Sequence, residues 1–327
     1  MGKSLINKTD KIFITGHNGM AGSAIYRSFK KNGYENIITE TRATLDLSKY
    51  LDVNNWFEKV KPDVVILSAA KVGGIEANLS MPTEFLIENL KIQNNVIESA
   101  WKNNVKRLLF LGSSCIYPKK SKQPIEEDEL LNGKLETTNE SYALAKIAGL
   151  RLCTSLRLQY NFDAISLMPT NLYGPGDNYH QINSHVLASF IRKFTDAVRF
   201  NYDQVTCWGS GMVYREFLHS DDLGDASCFV LENWDPNQED SPKKNNGEIL
   251  DYLNVGTGID LTIKDLAELI AKIVNFKGKI SWDKSKPDGT PKKQLNISRL
   301  RSLGWQPKIT LEKGIKRTIE EYKKIYT

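Results

Sequence analysis

The sequence predicts an α/β protein built on a doubly wound parallel sheet, with a smaller mixed lobe in its C-terminal half. Three observations lead to this prediction. Apolar runs typical of buried strands alternate with helical patterns through the first half, a glycine-rich turn follows the first run, and the alternation ends after Pro169. Continuous apolar strands separated by helices indicate a parallel sheet covered on both faces. Right-handed crossovers between such strands then give the doubly wound arrangement.

The first half supplies five strand patterns with helices between them. The predicted strands are 11–15, 36–40, 63–70, 107–113 and 163–168. The predicted helices are 19–31, 49–60, 82–103 and 140–160. Strands and helices that alternate in this way are the signature of successive βαβ units.

The second half is less regular. Its predicted helices are 184–200, 222–232, 263–274, 297–303 and 311–325. Its predicted strands are 205–208, 216–219 and 251–255, the last of which could extend the main sheet. Two polar stretches, 234–248 and 283–293, are expected to be exposed loops. We therefore expect a dinucleotide-binding domain at 1–178 plus about 216–258, and a substrate lobe at about 179–215 and 259–327.

Composition narrows the class of protein. The chain has 327 residues, with 44 Lys and Arg against 39 Asp and Glu, a net charge of +5. This balance excludes a polyacidic tail or a histone-like surface but leaves room for a local anion site. The four cysteines (Cys115, Cys153, Cys207 and Cys228) are far apart and form no CxxC, so neither a zinc cluster nor a disulfide framework is expected. A polar N-terminus and the lack of a 20-residue apolar run predict a soluble, cytoplasmic protein with reduced thiols.

The glycine-rich turn is the first motif that carries chemistry. It reads Gly16, His17, Asn18, Gly19, Met20, Ala21 and Gly22, a GxxGxxG between a predicted strand and a predicted helix. Glycines let backbone amides approach a pyrophosphate at the helix N-terminus, where the helix dipole favours anions. In this position, at the start of a βαβ series, the turn predicts a dinucleotide site.

The end of the second predicted strand bears on which dinucleotide binds. An acidic residue there favours NAD because it accepts hydrogen bonds from the ribose, whereas a cation favours the extra phosphate of NADP. Glu40 and Arg42 both lie in this stretch, and Arg42 is also compatible with a solvated turn. We favour NADP because a planar guanidinium suits a phosphate.

Tyr142 and Lys146 form the strongest pair. The capping-box pattern at 137–140 predicts a helix that begins just before Tyr142, and i, i+4 spacing places both side chains on one face. A phenol with a pKa of ~10 is a poor acid or base at neutral pH, and a nearby ammonium would lower that pKa. Ser113 follows the fourth predicted strand, at the edge where open α/β sheets bind ligands.

These motifs make the chain resemble the extended short-chain dehydrogenase/reductases that act on nucleotide sugars. The resemblance covers roughly residues 11 to 325. It is carried by GHNGMAGSAI (16–25), AAKVGGIEAN (69–78), LGSSCIYPK (111–119), YALAKIAG (142–149), MPTNLYGPGDN (168–178), WGSG (208–211), REFLH (215–219) and SKPDGTPKK (285–293). The polar N-terminal extension and the 234–248 loop depart from the family pattern, and neither touches a motif.

The resemblance implies an NADPH-dependent enzyme that epimerises C3 and C5 and reduces C4 of GDP-4-keto-6-deoxymannose. Tyr142 would donate the proton for reduction, Lys146 would hold the nicotinamide ribose, and Ser113 would bind the C4 carbonyl. The family uses residues at the positions of Cys115 and His185 as acid and base, on opposite sides of the sugar ring. Without the resemblance, a lone Cys or His is more often structural, and His17, His180 and His219 are interpreted in that way, although His17 could also touch cofactor phosphate.

The resemblance also implies binding residues. Those for NADP are Gly16, His17, Asn18, Gly19, Met20, Ala21, Gly22, Arg42, Leu111, Gly112, Ser114, Lys146, Pro169, Thr170, Asn171, Leu172 and His185. Those for the GDP-sugar are Lys193, Trp208, Arg215 and Asp288. By analogy, the helices 82–103 and 140–160 could form a four-helix homodimer interface. No metal, nucleic-acid or membrane partner is expected.

Three other functions stay open on the sequence. The same chemistry on a dideoxy sugar would give a GDP-colitose-type product by 5-epimerisation and reduction. A UDP-sugar 4-epimerase or a dehydratase of this fold would keep its nicotinamide bound, and an acid at the second strand would then dominate over Arg42. A silent dinucleotide-binding protein is argued against by the intact Ser113, Tyr142 and Lys146.

Overall fold

The chain was analysed as a computed structural model that describes residues 4–181 and 183–326. Its strands are β1 (Ile12–Thr15), β2 (Ile37–Ile38), β3 (Val64–Leu67), β4 (Arg107–Leu111), β5 (Ala164–Pro169), β6 (Asn171–Tyr173), β7 (Gln204–Trp208), β8 (Tyr214–His219), β9 (Tyr252–Val255), β10 (Asp260–Thr262), β11 (Lys279–Asp283) and β12 (Lys292–Lys293). Its helices are α1 (Met20–Lys31), α2 (Tyr50–Val60), α3 (Ile75–Ser80), α4 (Pro82–Lys102), α5 (Glu140–Tyr160), α6 (Val186–Arg199), α7 (Ser220–Asn233), α8 (Ile263–Val274), α9 (Ser298–Ser302) and α10 (Leu311–Tyr326).

The main sheet is parallel throughout and has the order β2-β1-β3-β4-β5-β9. Every residue of β1, β3, β4, β5 and β9 is buried, as expected for strands covered on both faces. Helices α1 and α7 pack together, and α4 packs against both α5 and α2. Right-handed crossovers place these two groups on opposite faces of the sheet. The predicted doubly wound fold is confirmed, and 251–255 does extend the main sheet.

Strand register determines where a ligand site can form. Thr15 pairs with Leu67, Leu67 with Phe110, Leu111 with Leu167, and Pro169 with Val255. The carboxyl ends of the strands therefore lie along one edge of the sheet. The order reverses between β1 and β3, because β2 lies on one side of β1 and the later strands lie on the other. Ligands of open α/β sheets bind at such a switch point.

A second hydrophobic core lies beside the first. It draws its members from α6, α8, α10, β7 and neighbouring residues, with Phe194, Leu266, Ile270 and Ile315 fully buried. Around it are a small sheet of the order β10-β8-β12, with β6 on β8, and a parallel pair of β7 and β11. The strong apolar faces of α6 and α8 are what the sequence pattern predicts for helices that cover a core on one side.

Several local predictions were wrong. Helix α5 begins at Glu140 without a side-chain cap; instead Glu136 accepts a hydrogen bond from the Thr138 amide and caps a preceding 3₁₀ turn. The 234–248 stretch is not wholly exposed, because Trp234 is fully buried and its indole donates to Ser241 at 3.0 Å. The carbonyl of Trp234 also accepts a hydrogen bond from the buried Arg107 guanidinium. An aromatic ring at the start of a polar stretch thus anchors it to the core.

The structure bears on three expectations about composition. All four cysteines are free. Within the described residues no cluster of His, Cys, Asp and Glu has a metal-binding arrangement. Over the same part of the chain, no helix is long and apolar enough to cross a membrane.

Candidate active site at the carboxyl edge of the main sheet

The turn after β1 has no room for side chains. Gly16 has φ of +68°, and a Cβ added there would lie 2.8 Å from the Ala69 Cα. A Cβ on Gly22 would lie 2.2 Å from the Gly16 carbonyl oxygen. The glycines thus bring the N-terminus of α1 against the β1 and β3 ends, and Gly19 has no side chain to occupy the first helical amides. These amides remain available to an anion.

His17 supplies a second sign of a ligand in this turn. Its Nδ1 atom is buried and has no hydrogen-bond partner among the described residues. Buried polar atoms are rarely left unpaired, so such an atom commonly indicates a missing ion or ligand. The residues present therefore fit the pyrophosphate of a dinucleotide.

The two candidate ribose-binding residues, Glu40 and Arg42, follow β2 and have different surroundings. Glu40 accepts a hydrogen bond from the Trp56 indole at 3.0 Å, whereas Arg42 lies exposed. The carboxylate that would read a plain ribose is thus partly occupied within the protein, whereas the guanidinium is accessible to a phosphate. This arrangement fits NADP better than NAD.

Ser113 and Cys115 follow β4 at the same edge. Gly112 is packed against Met168, whose Sδ would lie 2.3 Å from an added Cβ, so the chain turns closely over β5. Ser113 then caps a 3₁₀ turn (Ser114–Ile116), its hydroxyl accepting a hydrogen bond from the Cys115 amide at 3.2 Å. The 3₁₀ turn therefore holds the Ser113 hydroxyl against the backbone of Cys115, and the two residues lie side by side.

Lys146 lies on the inner face of α5 and reaches the end of β4. Its Nζ donates to the Leu111 carbonyl at 2.8 Å and lies 5.9 Å from the Tyr142 ring centroid. Burial lowers the Lys146 pKa to about 8. The ammonium therefore stays mostly protonated at pH 7, close to Tyr142 as the i, i+4 spacing predicts.

Tyr142 does not have the lowered pKa that the sequence led us to expect. Burial raises its pKa, the neighbouring Cys115 raises it further, and only a hydrogen bond with Ser113 opposes this. The desolvation of the phenolate is thus the largest influence on this pKa in the protein alone. The same influences show that Ser113, Cys115 and Tyr142 form one group.

Cys115 has two side-chain neighbours that sequence reasoning missed. The Asn139 amide nitrogen lies 3.2 Å from its Sγ, and the Lys293 Nζ lies 3.4 Å away. A cavity of about 20 Å³ adjoins the sulfur and is lined by Ser114, Cys115, Tyr117, Pro118, Ile125, Glu136, Asn139, Thr290 and Lys293. It has room for about one water molecule. Lys293 stands in the quoted string SKPDGTPKK, but no spacing rule links it to a cysteine 178 residues earlier.

His185 reaches the site from the start of α6. It occupies the N-cap position itself, without a side-chain cap, so the expectation that Asn183 and Ser184 would cap the helix was wrong. Its side chain is accessible to solvent, yet protein atoms surround it closely enough for desolvation to lower its pKa. The charge of Lys293 lowers that pKa further. Lys293 thus lies within electrostatic reach of both proton-transfer candidates.

The cationic end of the cleft lies on β7 and its flanking loops. Lys193 donates to the Thr206 carbonyl at 2.7 Å, and its Nζ lies 5.4 Å from the Trp208 ring centroid. Lys286, which the sequence did not single out, lies 4.9 Å from the same ring. Trp208 is 41% exposed, so its indole offers an open face between two ammonium groups. An aromatic surface flanked by cations suits a base next to a diphosphate.

Arg215 and Asp288 join the loops at this end. The guanidinium donates to the Asp288 carbonyl at 3.0 Å, and the Asp288 carboxylate accepts from the Ser210 amide at 2.7 Å. Burial lowers the pKa of Arg215, while Asp288, Cys115 and Glu136 oppose that change. Arg215 is therefore within electrostatic reach of Cys115, and Asp288 connects two loops by accepting hydrogen bonds from Ser210 and Arg215.

The segment after β5 is tied to β8. The Thr170 hydroxyl and the Asn171 side-chain amide both donate to the Glu216 carbonyl, at 3.3 and 2.8 Å. Thr170 is buried. These side chains hold the edge of the sheet in place, so any cofactor contact of Pro169, Thr170, Asn171 and Leu172 would come largely from the backbone. His219 has the structural surroundings expected from the sequence. It is buried, and its Nδ1 caps α7 by accepting a hydrogen bond from the Asp221 amide at 3.1 Å.

The glycine turn, the Ser113–Tyr142–Lys146 group and Cys115 all lie at the carboxyl edge of the main sheet, and comparisons with known proteins show the class to which the chain belongs. It is a member of the NAD dependent epimerase/dehydratase family, whose model matches residues 12–244. GDP-L-fucose synthase 1 of Arabidopsis thaliana is 49% identical over 321 residues, 98% of this chain and 95% of that protein. GDP-L-fucose synthase of Escherichia coli K12 is 49% identical over 310 residues, 95% of each chain. GDP-L-colitose synthase of Yersinia pseudotuberculosis is 37% identical over 313 residues, 95% of this chain and 97% of that protein.

Solved structures agree with the fold. A GDP-mannoheptose C4 reductase from Campylobacter jejuni with NADP bound has a TM-score of 0.87 and 38% identity, and the match covers 97% of this chain and 99% of that one. A GDP-L-fucose synthetase from Naegleria fowleri bound to NADP has a TM-score of 0.86 and 25% identity, with 100% and 98% covered. Both structures hold NADP, the cofactor that the exposed Arg42 favours here.

Proposed function

We propose that this chain is an NADPH-dependent epimerase and reductase that converts GDP-4-keto-6-deoxy-D-mannose to GDP-L-fucose. The observation that carries the proposal is the grouping of Cys115 with Ser113 and Tyr142, with Lys293 within reach of both Cys115 and His185. Reduction of a ketone requires only the serine, the tyrosine and a lysine. A thiol and an imidazole at the same site are the additional acid and base that epimerisation requires. Relatives at 49% identity that bear the name of this activity support the proposal.

Reduction adds a hydride to C4 and a proton to its oxygen. Bound NADPH supplies the hydride. Tyr142 donates the proton, and its raised pKa keeps the phenol protonated until the oxygen gains charge. Ser113 donates a hydrogen bond to the same oxygen, which stabilises the developing negative charge. Lys146 is held at the end of β4, where its remaining N–H groups are free to bind the nicotinamide ribose.

Epimerisation inverts C3 and C5, the two carbons beside the ketone. A base removes a proton from one face, and the electron pair delocalises into the C4 carbonyl as an enolate, which Ser113 and Tyr142 stabilise. An acid then returns a proton to the opposite face. We assign these two steps to Cys115 and His185.

NADP is the cofactor, and residues of this chain fit it. The α1 amides and His17 Nδ1, which has no partner among the described residues, are available to an anion, and the exposed Arg42 guanidinium suits the 2′-phosphate. We propose that the other cofactor contacts are those inferred from the sequence, at the ends of β4 and β5.

We also propose that the two parts of the chain bind different ligands. Residues 1–178 with about 216–258 would bind NADP, and about 179–215 with 259–327 would bind the GDP-sugar. The second core, built around α6, α8 and α10, supports this division. Residues 295–305 are an exception in packing, because Leu295, Ile297, Leu300 and Trp305 belong to the main core. Lys193, Trp208 and Arg215 would hold the nucleotide end.

The alternative GDP-colitose-type activity is not favoured. The relative named for colitose is less similar to this chain than those named for fucose. A 4-epimerase that returns its hydride is argued against by the engagement of Glu40 with Trp56.

Incubation with GDP-4-keto-6-deoxymannose and either NADPH or NADH tests the proposal. We expect absorbance at 340 nm to fall with NADPH and NMR to identify GDP-L-fucose as the product. A chain that oxidises no NADPH, or a product that keeps the manno configuration at C3 and C5, would contradict the proposal.

Two variants test the separate roles. We expect Cys115→Ser to slow solvent deuterium entry at C3 and C5, and Tyr142→Phe to slow mainly reduction, each by roughly 10²- to 10⁴-fold. Single-turnover assays in D₂O followed by NMR separate the two steps. Tyr160→Phe is the matched control, because Tyr160 lies on the same helix and is exposed. If both active-site variants lost only cofactor affinity, the assigned roles would be wrong.

A homodimer and a cytoplasmic location are two further proposals. Helices α4 and α5 lie side by side, and Ile87, Leu144 and Leu158 project exposed apolar side chains from them. A second copy that pairs through these helices would cover the side chains. The cytoplasmic location is supported by four free cysteines, as expected where thiols stay reduced.

A further inference from the structure

The surroundings of Cys115 are those of an anion. Asn139 directs an N–H donor at Sγ from 3.2 Å, and Lys293 directs an ammonium at the same atom from 3.4 Å. A neutral thiol is only a weak acceptor, so two donors on one sulfur suit a thiolate much better. The donors come from separate parts of the chain, because Asn139 precedes α5 and Lys293 lies on β12.

Lys293 is presented by a segment that is held in place on both sides. β12 pairs in parallel with β8, Lys293 opposite Arg215. The next amide, of Gln294, donates to the Gln123 side chain at 2.9 Å, and the Leu295 amide donates to the buried Glu216 carboxylate at 2.7 Å. The backbone at Lys293 is thus restrained before any ligand binds.

Lys293 also differs from its neighbours in having no acidic partner. Lys292 pairs with Asp260 at 3.3 Å and Lys119 with Glu136 at 2.8 Å. Over residues 4–181 and 183–326, no carboxylate lies within ion-pair distance of the Lys293 ammonium. The nearest anion available to it is therefore the Cys115 sulfur, once that sulfur is ionised.

We propose that Lys293 is a positioning residue that holds Cys115 as a thiolate and so makes Cys115 the base of the epimerisation. Its catalytic consequence rests on the proposed function, whereas its effect on the thiol does not. Other charged and titratable groups face Cys115 as well: Glu136 across the small cavity, Tyr142 on α5 and Arg215 on β8. Glu136 is already paired with Lys119, and Arg215 adds a second positive charge near the sulfur.

The proton balance assigns a direction to the pair. The Cys115 thiolate takes the proton from the carbon beside the ketone, forming the S–H bond as the C–H bond breaks, and the electron pair moves to the carbonyl oxygen. The His185 imidazolium gives its N–H proton to the opposite face, and the enolate electrons re-form the C–H bond. Thiol and imidazole then return to their starting states by exchange with water. Burial and the Lys293 charge lower the pKa of His185, so its imidazolium is a stronger acid although a smaller fraction of the free protein carries that proton.

Alkylation with iodoacetamide across pH 5 to 10 measures the thiolate directly. Cys153, Cys207 and Cys228 are buried, so modification of the native protein reports on Cys115, and Cys115→Ser gives the background. We expect the pH of half-maximal alkylation rate to rise by about one unit or more in Lys293→Met. Lys293→Arg, which keeps the charge, should restore most of the difference. Lys292→Met is the matched control, because Lys292 is adjacent and pairs with Asp260 instead.

An unchanged alkylation profile in Lys293→Met would overturn the proposal, and so would an equal shift in Lys292→Met. Circular dichroism and thermal unfolding identify a variant that has lost its fold, in which case Lys293→Gln and Lys293→Arg provide the comparison. The test needs no substrate, so its failure is distinguishable from failure of the proposed function. With substrate, the expected signature is slower deuterium entry at C3 and C5 and an unchanged KM for NADPH.

Discussion

The buried ammonium of Lys146, which its proposed role requires, lowers the stability of the folded protein. Its side chain is 3% exposed, and its ammonium has the Leu111 carbonyl as its hydrogen-bond partner. Burial disfavours the charged form and lowers the pKa from 10.5 to about 8. At pH 7 the unfolded chain and the folded protein both carry the proton, so the folded state bears the full desolvation cost. Above pH 8 the folded state loses the proton first, and this cost decreases.

Lys146→Met should therefore have an advantage in stability that diminishes as pH rises. Between pH 7 and 9.5 the free energy of unfolding of the parent should gain about 2 kcal/mol relative to the variant, from the difference between pKa values of 10.5 and about 8. Urea unfolding of both proteins at the two pH values measures this difference. Lys264→Met, at an exposed site, is the control and should show no such trend. An equal pH dependence in all three proteins would rule out a buried charge at Lys146.

Single residues also mark where sequence reasoning reached its limit. The i, i+4 spacing of Tyr142 and Lys146 correctly predicted one shared helix face, because that relation is local. The direction of the Tyr142 pKa was predicted wrongly, since it depends on how many atoms from β4 and the 3₁₀ turn surround the phenol. Lys293 was missed because its neighbour Cys115 is 178 residues away along the chain.

The turn between β1 and α1 is the element on which cofactor binding most depends. Gly16 has a positive φ, and it is also packed against the backbone of Ala69. Gly33 offers a comparison within the chain, because it has φ of +80° but nothing within 4 Å of an added Cβ. Comparison of substitutions at the two glycines therefore distinguishes the free-energy cost of backbone strain from that of steric overlap.

Gly16→Ala should cost roughly 3 kcal/mol of stability, since left-handed strain of ~1–2 kcal/mol adds to overpacking of ~1–3 kcal/mol. Gly33→Ala should cost only the strain, about 1 kcal/mol. Urea unfolding compares the two, and NADPH titration should show weaker binding for Gly16→Ala alone. Equal losses in both variants would mean that the close approach to Ala69 contributes nothing.

Long helices were predicted well, and several of the shortest elements were missed. α4, α5, α8 and α10 appear where their apolar repeats placed them, within a residue or two. The six-residue α3, the five-residue β11 and the two- to three-residue strands β6, β10 and β12 were missed. A strand of two or three residues has too few positions to display a period. Such a strand is defined by hydrogen bonds to a neighbouring strand, which the local sequence does not predict. β12, which carries Lys293, is one of these.

At the scale of the whole molecule, the structure has two hydrophobic cores. The main core holds the dinucleotide turn and the Ser113–Lys146 group, whereas the second core supports α6, which begins at His185, and β7, which ends at Trp208. Glu216 links the two parts. Its buried carboxylate accepts hydrogen bonds from the Gly258 and Leu295 amides, so β8 and the segment bearing Lys293 are held together.

The proposed homodimer gives a prediction at this scale. Leu158 is 75% exposed near the end of α5, far along the helix from Tyr142. Leu158→Glu should shift the protein from dimer to monomer, because a charge would be buried in an apolar interface. Size-exclusion chromatography with light scattering measures the mass. Leu51→Glu, on α2 and 71% exposed, is the control and should leave the mass unchanged. A monomeric parent protein would contradict the proposal.

The sequence by itself determined the parallel sheet, its helices, the glycine turn and the Tyr142–Lys146 face, because each rests on residues that are neighbours along the chain. The tertiary structure alone decided that Glu40 is occupied by Trp56 while Arg42 is accessible, that Tyr142 has a raised pKa, and that Lys293 and Asn139 surround the Cys115 sulfur. The physical reason is the range of the interactions. Periodicity and turn chemistry act over a few residues, whereas desolvation and charge act through space between segments that only folding brings together.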